Sequence, residues 1–308
     1  MKVLKSLALS LLSFLLFLSL SIFGTVYMFK STLLNPDFVT AEINRLDLPE
    51  LVGEITEGFF DIQGTDGEQY LAILTEATNE TITEVEPWIK EQLNSAIYSS
   101  YDYLLGNSEN INLTISTEPF TDSLKENTWE SFQESPPLEM KPILETMTEK
   151  EQKEYFDVFY QPIDESIPAT IDVTENSLPQ DALDIITQVR QYASYAQPLY
   201  IGLIIFMSVI VLGIILIIRR VKDVTRYLGV PLLTYGAFGY ASIFAAKYFY
   251  EKWLPLPEVS PSLEAWMPQF TDNIMAPMEI FSLSILITGI VLIVISFVYR
   301  KDESLAED

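Results

Sequence analysis

The chain of 308 residues has no cysteine and no histidine. Without cysteine there are no disulfides, thiolate nucleophiles, iron–sulfur clusters or thiolate zinc sites. Without histidine there is no imidazole acid–base chemistry and no serine hydrolase that relies on a histidine base. Basic residues are scarce as well, 18 Lys plus Arg against 43 Asp plus Glu, for a net charge of −25. A surface so short of positive charge argues against nucleic acid or the anionic head groups of a membrane as a partner, because both need Lys and Arg. It leaves cations, basic proteins or plain solvation as the uses of the acid. A fold of this length does not need disulfide staples, so the missing cysteine is silent about compartment.

The charge is not spread evenly. Between Ser31 and Gln197 stand 33 acidic and 7 basic side chains, a net −26, so the rest of the chain sums to +1. The apolar residues are partitioned in the opposite sense, into four long runs. The first, from about Ser6 to Phe29, follows Lys2 and Lys5. It is long enough to cross a hydrocarbon core of about 30 Å. Its length and the lack of an A-x-A-like site after it point to an uncleaved signal anchor; a cleaved signal peptide is the alternative. The other runs cover 199–218, 227–248 and 277–299. Basic residues cluster at Lys2–Lys5, Arg219–Arg226 and Arg300–Lys301. By the positive-inside rule these ends belong in the cytoplasm, which puts 31–197 and the loop 251–273 outside.

The expected fold is therefore a mostly α membrane protein. Four transmembrane helices accompany a predominantly helical extracytoplasmic domain that carries a small two-stranded β-ribbon. The expected divisions are an anchor over 1–30, the acidic domain over 31–197, a three-helix membrane unit over 198–300 and a cytoplasmic tail over 301–308. In the third span, Gly236, Gly239, Ser242 and Ala246 recur every three or four residues, a pattern that lets helices approach closely in lipid, so this helix is expected at the bundle centre. Ser6, Ser10, Ser13, Ser21 and Gly24 line one face of the first span and are read as packing or backbone-bonding positions. Lys247 and Glu279 lie near the outer ends of their spans and are read as a possible structural pair between helices. In the outer loop, Ser260 and Pro261 open a short surface helix with Leu263, Trp266, Met267 and Phe270 on one face; it either lies at the head groups with Trp253 or seals against the acidic domain.

Within the acidic domain, Asn35-Pro36 signals a helix start, with Phe38, Val39, Ile43 and Leu46 at helical spacing. Leu51, Val52, Ile55 and Phe59 continue it. Thr83-x-x-Glu86 reads as a capping box opening a helix that ends at Gly106, and Thr148-x-x-Glu151 as a second box. A last helix, about Gln180 to Gln197, should meet Pro198 with a kink or break. Ile111, Leu113 and Ile115 alternate with polar residues, as do Ile167, Ala169, Ile171 and Val173, the period of half-buried strands. Pro168 then falls at a strand end or on a free edge.

Chemistry-bearing candidates are few. The turn Asp61 to Glu68, with Asp66 and Gly67, offers oxygen ligands for Ca²⁺ but departs from the EF-hand pattern. Asn79-Glu80-Thr81 and Asn112-Leu113-Thr114 match the glycosylation sequon. Paired carboxylates abound by number alone. No residue is assigned to catalysis, to a cofactor or to a metal.

Ile167-Pro168 opening an alternating segment, the amphipathic approach to the second span, and Arg226-Tyr227-Leu228-Gly229-Val230-Pro231-Leu232-Leu233 opening the third resemble features of a loose group of uncharacterised prokaryotic envelope proteins. Those share an N-terminal anchor, a helical outer domain and a C-terminal cluster of membrane helices, and the resemblance implies no activity. The anchored outer domain also resembles the sensing half of chemoreceptors, from which this chain departs in having only the Arg219–Arg226 loop and the Arg300–Asp308 tail expected in the cytoplasm. The expected role is a non-enzymatic membrane protein of the envelope, with the bilayer and a protein as partners; a membrane subunit of a transporter, channel or export system is the alternative.

Overall fold

The computed structural model describes residues 2–51, 67–136, 140–253 and 261–305. The chain is mostly helical, in the order α1 (Lys2–Ser31), α2 (Pro36–Ile43), α3 (Gly67–Leu104), β1 (Asn112–Ser116), α4 (Glu118–Glu134), α5 (Lys141–Leu144), α6 (Glu149–Ser166), β2 (Thr170–Thr174), α7 (Gln180–Ile218), α8 (Val221–Trp253) and α9 (Pro261–Leu305). It divides into two compact units. One holds residues 1–39, 188–257 and 267–308, and the other residues 40–187 and 258–266.

The first unit is a four-helix bundle. Among the described residues four helices are long and apolar enough to cross a membrane, over 3–31, 180–218, 221–249 and 261–298. Their outward faces are apolar, as at Phe206, Leu216, Phe244 and Phe297, which is what a lipid solvent requires. At 1.5 Å per residue α7 is about 58 Å long and α9 about 68 Å, far more than a hydrocarbon core of about 30 Å.

α8 is the least apolar of the four and the most buried, as its small residues predict. A Cβ on Gly236 would lie 2.5 Å from Leu286 Cα, and one on Gly289 would lie 2.7 Å from Leu233 Cα. Gly229 faces Leu292 and Ile293, and Gly239 faces Ser282. Each step of three or four residues along α8 is matched by a step of three or four back along α9, so the two run antiparallel in one register. The expected stripe is corrected at its far half. Ser242 and Ala246 are exposed, and the Ser242 hydroxyl donates to its own helix at Phe238 O (2.8 Å). The packed face continues instead through Ile243, which is buried.

α1 lies against α7, α8 and α9. Phe23 stacks on Tyr200 at 5.0 Å and Phe17 meets Tyr235 edge-on at 6.0 Å. Lys30 donates to Gln197. Ser19 and Ser21 donate to carbonyls four residues back, at Leu15 and Phe17. Ser13 reaches across to Tyr227 O at 3.4 Å. Pro231 has no N–H to give that carbonyl, so a serine of α1 supplies a weak substitute for the missing helix bond.

Three prolines expected at helix boundaries lie inside helices: Pro87 in α3, Pro198 in α7 and Pro277 in α9. Thr83 is therefore no cap. It sits in mid-helix and donates to Asn79 O at 2.9 Å. α7 passes Pro198 without a break. The short surface helix of the expected loop is the first part of α9, where the Trp266 ring N–H donates to Glu42 O at 3.1 Å. Ser260, Val52, Ile55 and Phe59 lie outside the described residues, as does the side chain of Trp253.

Other local signals hold. Asn35 Oδ1 accepts from the Asp37 amide at α2. Gly106, with φ +80°, ends the chain's run out of α3 in the left-handed region where a side chain is unfavourable. Thr148 and Glu151 form both bonds of a capping box at α6. The two-residue link between α7 and α8 holds Arg219 at φ 60°, an unusual conformation for a residue with a Cβ.

In the second unit α3 packs along α4, α4 against α6, and β1 against α3. Leu124, Phe132, Phe156 and Tyr160 are buried with Leu144 and Ala77, and Phe132 and Phe156 have ring centroids 5.7 Å apart. Burial pushes the Tyr160 hydroxyl up to about 12, helped by the charges of Asp164 and Asp122. β1 and β2 form the expected antiparallel ribbon, pairing Leu113 with Val173 and Ile115 with Ile171. Pro168 lies two residues before β2, and its carbonyl accepts from Thr117 Oγ1 at 2.6 Å.

Gly236→Leu should separate α8 from α9, since backbone rather than a flexible side chain blocks the new atoms; overpacking of this kind costs about 1–3 kcal/mol. Gly202→Leu, where nothing lies within 4 Å, should be tolerated. Unfolding in mild detergent with increasing denaturing surfactant compares the two. At α6, the Thr148 amide and hydroxyl hold the Glu151 carboxyl below its usual range. Its contribution is therefore present above the ordinary carboxylate range and lost as pH falls through the lowered value. Hydrogen exchange of the Glu151 amide in the full chain should be slower in wild type than in Glu151→Gln at pH 7, and the difference should vanish in strong acid.

Candidate functional site

The charged cluster in the bundle is built by the same register that packs the glycines. Two turns past Gly239, α8 presents Lys247. α9 answers with Glu279 one turn before Ser282, and with Asp272 two turns earlier on the same face. Lys247 Nζ lies 3.1 Å from Glu279 Oε2 and 3.0 Å from Asp272 Oδ1. The three side chains border a cavity of about 420 Å³, with Tyr240 and Tyr248 beside them. The expected partnership of Lys247 and Glu279 is thus present. Asp272 is an additional partner that sequence reasoning missed, because it placed residues to 273 in a loop. An i, i+7 pair of carboxylates at 272 and 279 was the signal available, and it has meaning only once α9 is known to be helical that far back.

The lysine side chain is about one quarter exposed, Glu279 about a third and Asp272 nearly two thirds. Such a trio is a clasp between helices that leaves one net negative charge. A screened pair is worth only about 0–1 kcal/mol, so its main effect is to fix the ends of α8 and α9 rather than to hold them together. Beneath it, Tyr235 and Ser282 are buried beside Gly239, and a Cβ on Gly24 would run into the Tyr235 hydroxyl. The two hydroxyls face one another without meeting hydrogen-bond geometry among the described residues.

A second cluster lies at the opposite end of the bundle. Lys5 of α1, Arg220 of the α7–α8 link and Asp223 of α8 border one cavity of about 470 Å³. Arg226 borders two more, of about 580 and 650 Å³, on the α1 and α9 sides of α8. Ser296 of α9 donates to Lys222 O at 3.0 Å. The starts of α1 and α8 and the later part of α9 therefore meet at one basic end.

The remaining sequence candidates do not converge. Asp61 and Asp66 lie outside the described residues, and Gly67 and Glu68 open α3. Asn79 is in mid-helix and its Thr81 is fully buried. Asn112 is exposed on β1, where its carbonyl accepts from Ser99. Among the described residues no three Asp or Glu side chains come together in a way that could hold a metal ion. Compared with protein-family models, curated proteins and solved structures, the chain matches none of them.

Lys247→Met should leave Asp272 and Glu279 facing each other without their cation and lower the resistance of the bundle to denaturing surfactant by about 1 kcal/mol. The pair Lys247→Met with Glu279→Gln should recover part of that loss. If the double variant loses as much as the sum of the two single ones, the trio is not energetically coupled.

Proposed function

We propose that the chain is a non-enzymatic integral membrane protein of the cell envelope, and that its acidic unit stands on the outer face, where it binds a protein partner or holds a complex together. The observation that carries this reading is an exposed apolar stripe on α7 before the span. Ile185, Val189, Tyr192 and Tyr195 follow one another at steps of four, three and three residues and are 62%, 40%, 71% and 57% exposed. Apolar groups in such a row, on the approach of an otherwise acidic segment to the membrane, favour a protein surface as their cover. The clustering of Lys5, Arg220, Lys222 and Arg226 at one end of the bundle supports placing that end, with both termini, in the cytoplasm. The resemblance to envelope proteins with an anchored helical domain agrees with this.

Because the chain has no cysteine, each introduced cysteine is a unique probe. Asn107→Cys should react with a membrane-impermeant maleimide in intact cells, and Val221→Cys only after permeabilisation; the reverse pattern sinks the topology. A photo-crosslinker on Val189→Cys should trap a discrete protein in native membranes, and one on Lys153→Cys should not. Adducts with lipid alone, or no adduct, would count against the partner reading while leaving the topology standing.

A further inference from the structure

We propose that the basic end of the bundle holds the phosphate of an anionic phospholipid at Arg226, between two grooves that receive its acyl chains. Arg226 stands on the second turn of α8 and borders a cavity on either side. On the α1 side the lining passes from Arg226 through Ser6 and Ser10 to Val230 and Pro231. On the α9 side it passes from Lys222 and Arg226 to Ile293 and Phe297. Each groove therefore sets charged groups beside hydroxyl-bearing and apolar ones, the chemistries that a phospholipid presents as phosphate, glycerol and chain. Val230 and Phe297, which border the grooves, are 49% and 64% exposed, so the grooves open towards the lipid. A soluble phosphate would satisfy the charge but leave this apolar lining unused.

The charge balance selects an anionic head group. Lys222 and Arg226 border these two cavities, and Lys5 and Arg220 border a third beside them, against Asp223 as the carboxylate in all three linings. Arg226 makes no ion pair among the described residues, and Asp223, one turn away on the same helix, does not neutralise it. The guanidinium thus keeps its donors for the two non-bridging oxygens of a phosphodiester. Basic pockets between membrane helices at the head-group level bind anionic lipids by this arithmetic. The inference rests on the bundle alone and does not depend on what the acidic unit binds.

Native mass spectrometry of the full chain in detergent tests it, with phosphatidylglycerol, phosphatidylcholine and inorganic phosphate as probes. Phosphatidylglycerol should bind more tightly than phosphatidylcholine. Arg226→Gln should weaken it about fivefold, Arg226→Lys less, and Asp223→Asn should strengthen it. Circular dichroism of each variant checks that the bundle is intact, and Asp223→Asn carries the test should Arg226→Gln fail to fold. Equal binding of the two lipids, or an Arg226→Gln protein that binds phosphatidylglycerol as wild type does, overturns the proposal. Displacement of the lipid by millimolar inorganic phosphate would show a free-phosphate site instead. Weaker binding by Asp223→Asn would mean that a head-group ammonium is what the site recognises.

Discussion

Backbone contact between α8 and α9 is the constraint on which the bundle depends. Gly236 sits on the backbone of Leu286 and Gly289 on that of Leu233, so each helix contributes a glycine at the point where the other comes closest. In lipid there is no hydrophobic gain from bringing two helices together, and close van der Waals packing must supply the association. A contact with one glycine on each side fixes the register in both directions, since sliding either helix would bring a side chain against the other's backbone. That register sets Lys247 opposite Asp272 and Glu279 at one end and Ser296 against the Lys222 carbonyl at the other. Neither polar contact is strong enough to impose it; both follow from it.

The same logic explains how polar backbone is tolerated in the bundle. Pro231 interrupts the hydrogen bonding of α8, and an unsatisfied carbonyl in hydrocarbon is costly. Ser13 of α1 donates to the carbonyl so exposed, which ties α1 to α8 at the level of the interruption. The basic end is therefore assembled from three helices by one glycine register and two serine bonds.

Much of this architecture was legible in the sequence because it rests on local rules. The four spans follow from apolar run length, the α6 start from Thr148 and Glu151, the turn after α3 from Gly106, and the ribbon from alternation. What was not legible is where those rules lose to tertiary context. Pro87, Pro198 and Pro277 read as boundaries, yet a proline removes a single helix bond, and a long helix packed on both sides of it can run through. Starting the fourth span at Pro277 hid the continuity of α9 with the short helix opened at Pro261, and with it the partnership of Asp272 with Lys247. The small-residue stripe was right at Gly236 and Gly239 and wrong at Ser242 and Ala246, because spacings of three and four are shared by two adjoining faces of a helix. Only the partner helix decides between them.

The continuity of α7 through Pro198 has a physical cause. The helix ends at Ile218 and buries Ile210 and Ile214 in the bundle. Its least constrained point is Pro198, where the Ser194 carbonyl loses its i+4 donor. α1, stacked on Tyr200 through Phe23, grips the helix just below that point. Packing against α1 beside the missing bond lets the helix run through a proline that reads as a break.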